Sequence, residues 1–313
     1  MPLQIAIVGA GKVGMTIAFA LLCQGFSGRL LLSGQNQEKI TGEMHDLHHA
    51  GAFLPYPPEI VACPVEEMNA SDIVILTASS PMTNMTDRLE LLEGNAKIFR
   101  KIIPPLATRN PQAIFVVITN PVDVMTYLTL RWSGLPPQRV MGTGTLIDSG
   151  RFRALLGKYS GINPSDVHAY ILGEHGESEF PILSKADMGG MTLKTLLPVC
   201  RRECPLTTIP EVFEEAKNGG MMVYRQKGYT NYAIALATTT LLGAIMEDSG
   251  KILPVSTLLE GYLGIEDVCL SVPAVIGREG ILKTLELEFS QEEREAFHRS
   301  AAKLKKVIQS ILF

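Results

Sequence analysis

The feature that most constrains the fold is an apolar stretch near the start of the chain that runs directly into a glycine-rich turn. Residues 4–14 read QIAIVGAGKVG, in which the apolar run ends in the pattern G-x-G-x-x-G, formed by Gly9, Gly11 and Gly14. In a strand–turn–helix unit the first glycine permits the tight turn, the second lets backbone approach a pyrophosphate, and the third lets helix and strand pack closely. The stretch therefore predicts a dinucleotide-binding unit, with Lys12 and Val13 at the helix N-terminus that faces the phosphates.

Short apolar runs alternate with amphipathic segments through the first half of the chain. We predict strands at Gln4–Val8, Leu30–Leu32, Glu59–Ala62, Asp72–Thr77, Ala113–Ile118 and Val140–Gly142, with helices at Val13–Leu22, Glu38–Ala50 and Leu89–Leu106. This alternation indicates an α/β domain with a Rossmann-type, doubly wound parallel sheet, whose ligands bind at the carboxyl ends of the strands. We assign residues 1–143 to this dinucleotide-binding domain.

The pattern changes in the second half. Strands are predicted at Val167–Leu172, Val255–Leu259 and Val268–Ile276 among longer helices, and a charged amphipathic helix closes the chain from Gln291 to Leu312. We predict an α+β catalytic domain over residues 144–313, packed against the first domain because no low-complexity linker separates them.

Composition and charge argue against several classes of function. The 313 residues carry a formal net charge of −4, whereas a nucleic-acid or membrane-surface protein needs a basic face. The sequence has no apolar run of the roughly 18 residues that a membrane span requires, and no signal-peptide pattern. Five scattered cysteines are typical of a reduced chain. We expect a cytoplasmic protein without a nucleic-acid or membrane partner.

Glycine occupies the position that normally carries a ribose-binding carboxylate. An Asp or Glu about 20 residues past the glycine turn grips the adenosine ribose in most dinucleotide-binding units. Here that position is Gly34, in LLLSGQN, and no acidic residue lies between the turn and Glu38. Gly34 removes a charge that would repel a 2′-phosphate, and Ser33 could donate a hydrogen bond to one, but no arginine accompanies them. We expect NAD to be used and NADP to be tolerated or even preferred.

A second group of chemistry-bearing residues lies in the second half. In GEHGESEF, residues 173–180, His175 stands between glycines just past a predicted strand, where a ligand can approach. Upstream, GTGTLIDSGRFR offers Asp148, a carboxylate that could hold the imidazole, and Arg151, which could bind a carboxylate through two parallel hydrogen bonds. Each residue alone is more often structural. Together, in a chain with a dinucleotide turn, they favour acid–base catalysis.

Motifs in the same order from end to end resemble the L-lactate/malate dehydrogenase family: GAGKVG, TNPVDVMTYL, GTGTLIDSGRFR, GEHGESEFP and SVPAVIGREGIL. From residue 227 onward the chain is most similar to the bacterial L-lactate dehydrogenases of that family. The resemblance implies hydride transfer between a nicotinamide cofactor and a small 2-oxo or 2-hydroxy monocarboxylic acid, by a homo-oligomer of dimer or tetramer size. The alternatives left open are a broader L-2-hydroxy-acid dehydrogenase, a malate dehydrogenase and a catalytically inactive dinucleotide-binding protein.

The resemblance also implies a role for each matching residue. His175 matches the proton donor and acceptor, Asp148 its orienting carboxylate, and Arg151 the arginine that binds the substrate carboxylate. Arg88 matches the arginine that polarises the substrate carbonyl, Asn120 the asparagine near the nicotinamide, and Thr230 a residue that lines the substrate pocket. The residues that match the cofactor site are Gly9, Gly11, Lys12, Val13, Gly14, Ser33, Gly34, Thr77, Ala78, Ser79 and Asn120.

The segment TASSPMTNMTDR departs from the family at a position that distinguishes substrates. Met82 stands where lactate dehydrogenases usually have glutamine and malate dehydrogenases have arginine, and no basic residue lies between Ser79 and Asp87. The second carboxylate of oxaloacetate would be buried there without a partner. Because methionine is flexible and apolar, we expect pyruvate or a larger, branched 2-oxo acid to be the substrate. The alternative is that Met82 points away and specificity lies elsewhere.

Two residue pairs raise the question of further ligand sites. Arg153 and His168 match residues that bind fructose 1,6-bisphosphate across the subunit interface in many bacterial lactate dehydrogenases, so the resemblance implies an allosteric effector; ordinary structural roles are the alternative. His45 and His49 lie four residues apart on one predicted helix face. That helix matches the family's subunit-interface helix, and we expect no metal.

Overall fold

The computed structural model describes residues 2–80, 88–193 and 209–312. In its first half, strands alternate with helices as predicted. The strands are β1 (Gln4–Val8), β2 (Arg29–Ser33), β3 (Glu59–Ala62), β4 (Ile73–Leu76), β5 (Ile114–Val117) and β6 (Val140–Gly142). The helices are α1 (Lys12–Cys23), α2 (Gln37–Ala50), α3 (Arg88–Arg109) and α4 (Val122–Ser133).

The six strands form a parallel sheet in the order β3-β2-β1-β4-β5-β6. This is the strand order of the Rossmann fold, so the predicted doubly wound sheet is confirmed. The order reverses between β1 and β4, and ligands in such sheets bind beyond the carboxyl ends of the strands at this point. The glycine turn follows β1 and therefore lies at the expected binding edge.

Alternate side chains of the sheet enter two hydrophobic clusters on its opposite faces. In β4, Val74 and Leu76 join a cluster that includes residues of α3 and α4, whereas Ile73 and Ile75 join a cluster that includes residues of α1. All four residues are at most 1% exposed, as expected for a parallel sheet that is covered by helices on both faces. Within the described ranges, no helix combines the length and the apolar character that a membrane crossing requires.

The second half combines helices with short and long strands. Its helices are α5 (Leu146–Ser160), α6 (Ile209–Lys227), α7 (Tyr232–Met246) and α8 (Gln291–Leu312). Its strands are β7 (Val167–His168), β8 (Ile171–Leu172), β9 (Phe180–Pro181), β10 (Asp187–Met188), β11 (Met191–Thr192), β12 (Lys251–Tyr262), β13 (Ile265–Gly277) and β14 (Gly280–Thr284).

Across both halves, single turns of 3₁₀ helix lie at Gly51–Phe53, Val65–Glu67, Pro137–Arg139 and Pro164–Asp166.

The long antiparallel strands of the second half extend the Rossmann sheet. Ser256 of β12 pairs with Gly142 of β6, and β13 and β14 follow, so one nine-stranded sheet contains strands of both halves. The predicted single strand at Val167–Leu172 is wrong in one respect. The stretch forms two strands, because its two ends join different sheets: β7 pairs with β10, and β8 pairs with β9.

Candidate active site

The glycine turn after β1 shows why two of its glycines are required. Gly9 has a φ of +110°, and a Cβ on it would lie 2.3 Å from the backbone nitrogen of Ala78. A Cβ on Gly14 would lie 2.4 Å from the carbonyl oxygen of Gly9. By contrast, no atom of the described residues, apart from the chain neighbours of Gly11, lies within 4 Å of the position that a Cβ on Gly11 would take. The turn thus packs closely on its protein side and is open at Gly11.

The open side of the turn fits the pyrophosphate of a dinucleotide. Gly11 is the N-cap of α1, and no side chain caps this helix terminus, so its first backbone N–H groups can donate to an anion. The N–H groups of Gly9 and Ala10 donate to the carbonyl oxygen of Ser33 over 2.9 and 2.8 Å. Thr77 Oγ1 donates to the carbonyl oxygen of Gly9 over 2.7 Å. These bonds bring the ends of β1, β2 and β4 together around the predicted cofactor residues.

Gly34 lies directly after β2, beside the glycine turn. A Cβ on Gly34 would lie 3.0 Å from Cδ1 of Ile40 and 3.7 Å from the backbone nitrogen of Ala10. A side chain therefore fits if the flexible end of Ile40 moves slightly. Ser33 is buried, and Asn36 caps α2 by accepting a hydrogen bond from the N–H of Lys39 over 2.9 Å.

Two of the predicted catalytic residues and one predicted substrate-binding residue form one hydrogen-bonded group. Asp148 and Arg151 lie three residues apart on α5, and His175 lies in the turn after β8. Asp148 Oδ2 is 2.5 Å from His175 Nδ1, and Asp148 Oδ1 is 2.7 Å from Arg151 Nη1. The side chain of Asp148 is 2% exposed, whereas those of His175 and Arg151 are 24% and 21% exposed. A buried carboxylate therefore holds an imidazole and a guanidinium that both reach solvent.

The charges of this group favour a protonated His175. Burial alone would lower the pKa of His175, but the charge and hydrogen bond of Asp148, followed by Glu179 and Asp123, raise it to about 9. Burial raises the pKa of Asp148, but His175 and Arg151 outweigh it and hold that pKa below its usual value. These charges favour an imidazolium paired with a carboxylate at neutral pH, on a histidine side chain that is partly exposed.

Asp123, on α4, fixes the backbone of His175. Its carboxylate accepts hydrogen bonds from the backbone N–H of His175 over 2.8 Å and from Ser256 Oγ over 2.6 Å. Burial raises the pKa of Asp123 to about 6. Asp123 was not among the residues predicted from the sequence, although a carboxylate inside the apolar stretch NPVDVMTYL was a usable signal.

Glu179 places a further carboxyl group beside His175 and Asp148. The nearest ligand atoms of these three residues all lie within 4.8 Å of one another. Burial, and then repulsion by Asp148, raise the pKa of Glu179 to about 8. Glu179 was not predicted from the sequence, because a glutamate next to a short apolar strand usually lies on the surface. We assign no metal to this group, because Asp148 is already bound to His175 and to the cationic Arg151.

Two adjacent glycines of α6 pack against Arg151. A Cβ on Gly220 would lie 3.2 Å from Arg151 Nη2, and a Cβ on Gly219 would lie 3.4 Å from Arg151 Cδ. A glycine inside a helix costs about 1 kcal/mol relative to alanine, so two glycines in succession are a sequence signal of close packing. They leave room for the guanidinium and add no side chain beside it.

Some of the other predicted site residues have contacts that the structure describes. Asn95 connects the carbonyl oxygen of Asn120 (2.7 Å) with the N–H of Ser80 (2.7 Å), next to the exposed Ser79. The Lys12 ammonium lies 3.8 Å from the ring centroid of Tyr229, which precedes Thr230. Met82 lies outside the described residues, and only the backbone of Arg88 is described, as the first residue of α3.

The residues that match the effector site have different surroundings. Arg153 Nε is buried without a hydrogen-bond partner among the residues that the structure describes, which favours an anion. His168 is exposed on β7, and its Nδ1 lies 3.2 Å from Asp187 Oδ1, a carboxylate that would repel a phosphate.

Comparison with known proteins agrees with the fold. The NAD binding domain of lactate/malate dehydrogenases matches residues 3–142, and their alpha/beta C-terminal domain matches residues 145–312. The L-lactate dehydrogenase of Synechococcus sp. (strain JA-3-3Ab) is 40% identical over 98% of each chain, and that of Geobacillus kaustophilus (strain HTA426) is 39% identical over 97% of this chain and 96% of the relative. The structure of the minor L-lactate dehydrogenase of Enterococcus mundtii superposes with a TM-score of 0.93 at 36% identity, covering 99% of this chain and 98% of that chain. The chain belongs to the lactate/malate dehydrogenase family.

Proposed function

We propose that this chain is an L-lactate dehydrogenase that reduces pyruvate, or a similar monocarboxylic 2-oxo acid, with a nicotinamide cofactor. The observation that carries the proposal is the group His175–Asp148–Arg151, in which a protonated imidazole and a guanidinium reach solvent from one buried carboxylate. The curated relatives that cover nearly the whole chain are L-lactate dehydrogenases, which supports both the reaction and the stereochemistry.

The geometry gives each residue a step. Arg151 uses one N–H for Asp148 and keeps other donors of its fork for the substrate carboxylate, which orients the carbonyl. His175 Nε2 donates its proton to the carbonyl oxygen as negative charge develops there, while Asp148 fixes the tautomer and stabilises the imidazolium. The resemblance assigns Arg88 and Asn120 to polarising the same oxygen. A cofactor bound at the glycine turn supplies the hydride. In the reverse direction, neutral His175 accepts the proton of the hydroxyl group.

The substrate class is tested by steady-state assays at 340 nm with NADH and NADPH. We expect turnover with pyruvate or with a branched 2-oxo acid, and much slower turnover with oxaloacetate. Absence of turnover with every acid and both cofactors would favour the inactive dinucleotide-binding protein.

The same assays with and without fructose 1,6-bisphosphate test the effector proposal, which fails if neither substrate affinity nor oligomer size changes.

The proposal also covers the choice of cofactor: NAD is used, and NADP is tolerated or even preferred. We predict that Gly34→Asp increases the ratio of kcat/KM for NADH over NADPH by about 10- to 100-fold. A restored charge-assisted hydrogen bond to the ribose is worth about 1.5–3 kcal/mol, and the same charge repels a 2′-phosphate.

The matched control for this prediction is Gly42→Asp. It adds the same charge to α2 at a position where the new Cβ would meet no other part of the described structure within 4 Å, and it should leave the ratio unchanged. An unchanged ratio in Gly34→Asp, or a wild-type preference for NAD above roughly a thousandfold, would show that Gly34 does not relax cofactor discrimination.

The preference for a monocarboxylic substrate is a further part of the proposal, and it rests on Met82. We predict that Met82→Arg raises the ratio of kcat/KM for oxaloacetate over pyruvate by about 100-fold, because it supplies a partner for a buried carboxylate that otherwise costs about 3 kcal/mol. Met85→Arg adds the same side chain three positions further along and serves as the control. If the ratio stays constant in Met82→Arg, Met82 does not face the substrate.

A homo-oligomer is the remaining proposal. Phe19 of α1 and Tyr232 and Leu236 of α7 are 53%, 67% and 56% exposed, and clusters of exposed apolar side chains mark interaction surfaces. Light scattering of the purified protein should give the mass of a dimer or a tetramer.

A further inference from the structure

Glu179 is a buried carboxyl group for which the proposed mechanism has no use. It is 5% exposed, and its Oε1 is buried without a hydrogen-bond partner in the described part of the chain. Leaving a buried polar atom unpaired is unfavourable, and placing a carboxyl group beside the carboxylate of Asp148 adds repulsion. A glutamate in this position therefore calls for a function that compensates for both costs.

The packing of the turn directs Glu179 inward. The next residue, Phe180, is buried, and its ring packs edge to face against Phe289 and Phe297 with centroids 6.2 and 6.3 Å apart. On the other side of Glu179, Ser178 Oγ lies 3.1 Å from Ser300 Oγ. Both neighbours are thus held against other parts of the fold, and Glu179 stays within 4.8 Å of the ligand atoms of His175 and Asp148.

Charged groups of three elements face Glu179. Asp148 and Arg151 approach it from α5, Lys217 from α6, and His175 from its own turn. Lys217 Nζ donates to the backbone carbonyl oxygen of Glu177 over 2.8 Å, so its ammonium group is anchored at this turn. When Glu179 is protonated, Arg151 and His175 each carry a positive charge, and Asp148 carries the negative charge of the group. Ionised Glu179 adds a second negative charge beside the imidazolium.

We propose that Glu179 is a positioning residue that acts through His175: its carboxyl group, buried beside the imidazole, ionises as the pH rises and thereby keeps the proton on His175. The role rests on the proposed proton transfer by His175. Because burial and Asp148 raise the pKa of Glu179 to about 8, and His175 has a pKa of about 9, the two groups titrate in the same range and therefore as a linked pair. The pair extends 2-oxo acid reduction to alkaline pH.

The proposal is tested by the pH dependence of kcat/KM for pyruvate reduction in Glu179→Gln. Glutamine resembles the protonated acid at every pH. His175 should therefore lose its proton at a lower pH, and the midpoint of the alkaline limb should fall by about 1 pH unit. Glu179→Asp keeps an ionisable group, so its alkaline limb should lie between that of Glu179→Gln and that of the wild type. The control is Glu177→Gln in the same turn, whose carboxylate is 72% exposed and lies 3.2 Å from Lys303 Nζ; its profile should match that of the wild type.

A second measurement follows His175 without turnover. Diethyl pyrocarbonate reacts with neutral imidazole, and His175 is partly exposed, so the pH midpoint for modification of the His175 peptide, read by mass spectrometry, reports its proton affinity. It should fall by the same amount in Glu179→Gln. If both midpoints stay at the wild-type value, the role of Glu179 is structural only and the proposal is wrong.

The two failures can be told apart. A wild-type protein that turns over no 2-oxo acid contradicts the proposed function, while the modification midpoints still decide the role of Glu179. If Glu179→Gln does not fold, Glu179→Asp decides the matter, because it moves the carboxyl group away from the imidazole by one methylene. Its modification midpoint must then differ from that of the wild type, and an unchanged midpoint overturns the proposal.

Discussion

Replacing Arg151 with lysine should lower kcat/KM for pyruvate reduction by about 10³-fold. Lysine keeps the positive charge but cannot form two parallel hydrogen bonds to the substrate carboxylate, and one charge-assisted bond is worth about 1.5–3 kcal/mol. The remaining loss comes from orientation, because a carboxylate that turns moves the carbonyl away from His175, and small displacements from the reactive geometry cost about 10²-fold. Gly219 and Gly220 add no side chain that could take over this role.

The matched control is Arg131→Lys on α4. Arg131 also forms an ion pair, with Nη2 2.6 Å from Asp267 Oδ1, and the partners of its side chain in the described structure, Asp267 and Tyr127, are not predicted site residues. Its replacement should change kcat/KM by less than about threefold. If Arg151→Lys is no worse than this control, Arg151 does not bind the substrate carboxylate, and the orientation of the substrate in the proposed site is wrong.

Asp148→Asn should remove most of the catalytic activity by a different route. The carboxylate is the group that raises the pKa of His175 to about 9 against the effect of burial. Without it, burial lowers that pKa, with only Glu179 and Asp123 opposing. His175 is then largely unprotonated at neutral pH, and its tautomer is no longer fixed. The combined loss of proton donation should lower kcat/KM for reduction by about 10²–10⁴-fold at pH 7.5.

The direction in which the pH midpoint moves distinguishes a changed proton affinity of His175 in Asp148→Asn from a general structural disruption of the site. Reduction needs protonated His175, so the wild-type rate should be constant through neutral pH and fall above a midpoint of about 9. In Asp148→Asn the midpoint should fall below the ordinary histidine pKa of about 6.5, so that part of the lost activity returns in acid. Asp267→Asn, which removes the carboxylate of the surface ion pair with Arg131, should keep the wild-type profile. An unshifted midpoint in Asp148→Asn would mean that Asp148 does not set the proton affinity of His175.

The first half of the fold could be predicted because its signals are local. Each strand of the Rossmann sheet is a continuous apolar run, and the glycine turn lies beside the first of them. The extension of the sheet by β12, β13 and β14 could not be predicted in the same way, since the pairing of Gly142 with Ser256 joins distant parts of the sequence. The division of Val167–Leu172 into two strands has the same cause, because the partners β9 and β10 lie further along the chain.

The site was partly predictable for a related reason. His175, Asp148 and Arg151 stand in glycine-flanked motifs whose residue types indicate the chemistry, and the structure brings them into hydrogen-bonding contact. Glu179 and Asp123 carry no such local signal. Their carboxyl groups become significant only when folding buries them against His175, and burial is a property of the tertiary structure. The sequence showed that Gly34 lacks a carboxylate, while the structure adds that an aspartate would fit there.

The most direct test of the central claim, that a protonated His175 donates the proton in 2-oxo acid reduction, is the pH profile of kcat/KM for pyruvate reduction by the wild-type protein. This ratio reports the ionisation of the free enzyme, which is the state described by the structure. We predict a constant value through neutral pH and a decline with a midpoint of about 9. A decline with a midpoint near 6.5, or a rate that increases with pH, would contradict the account.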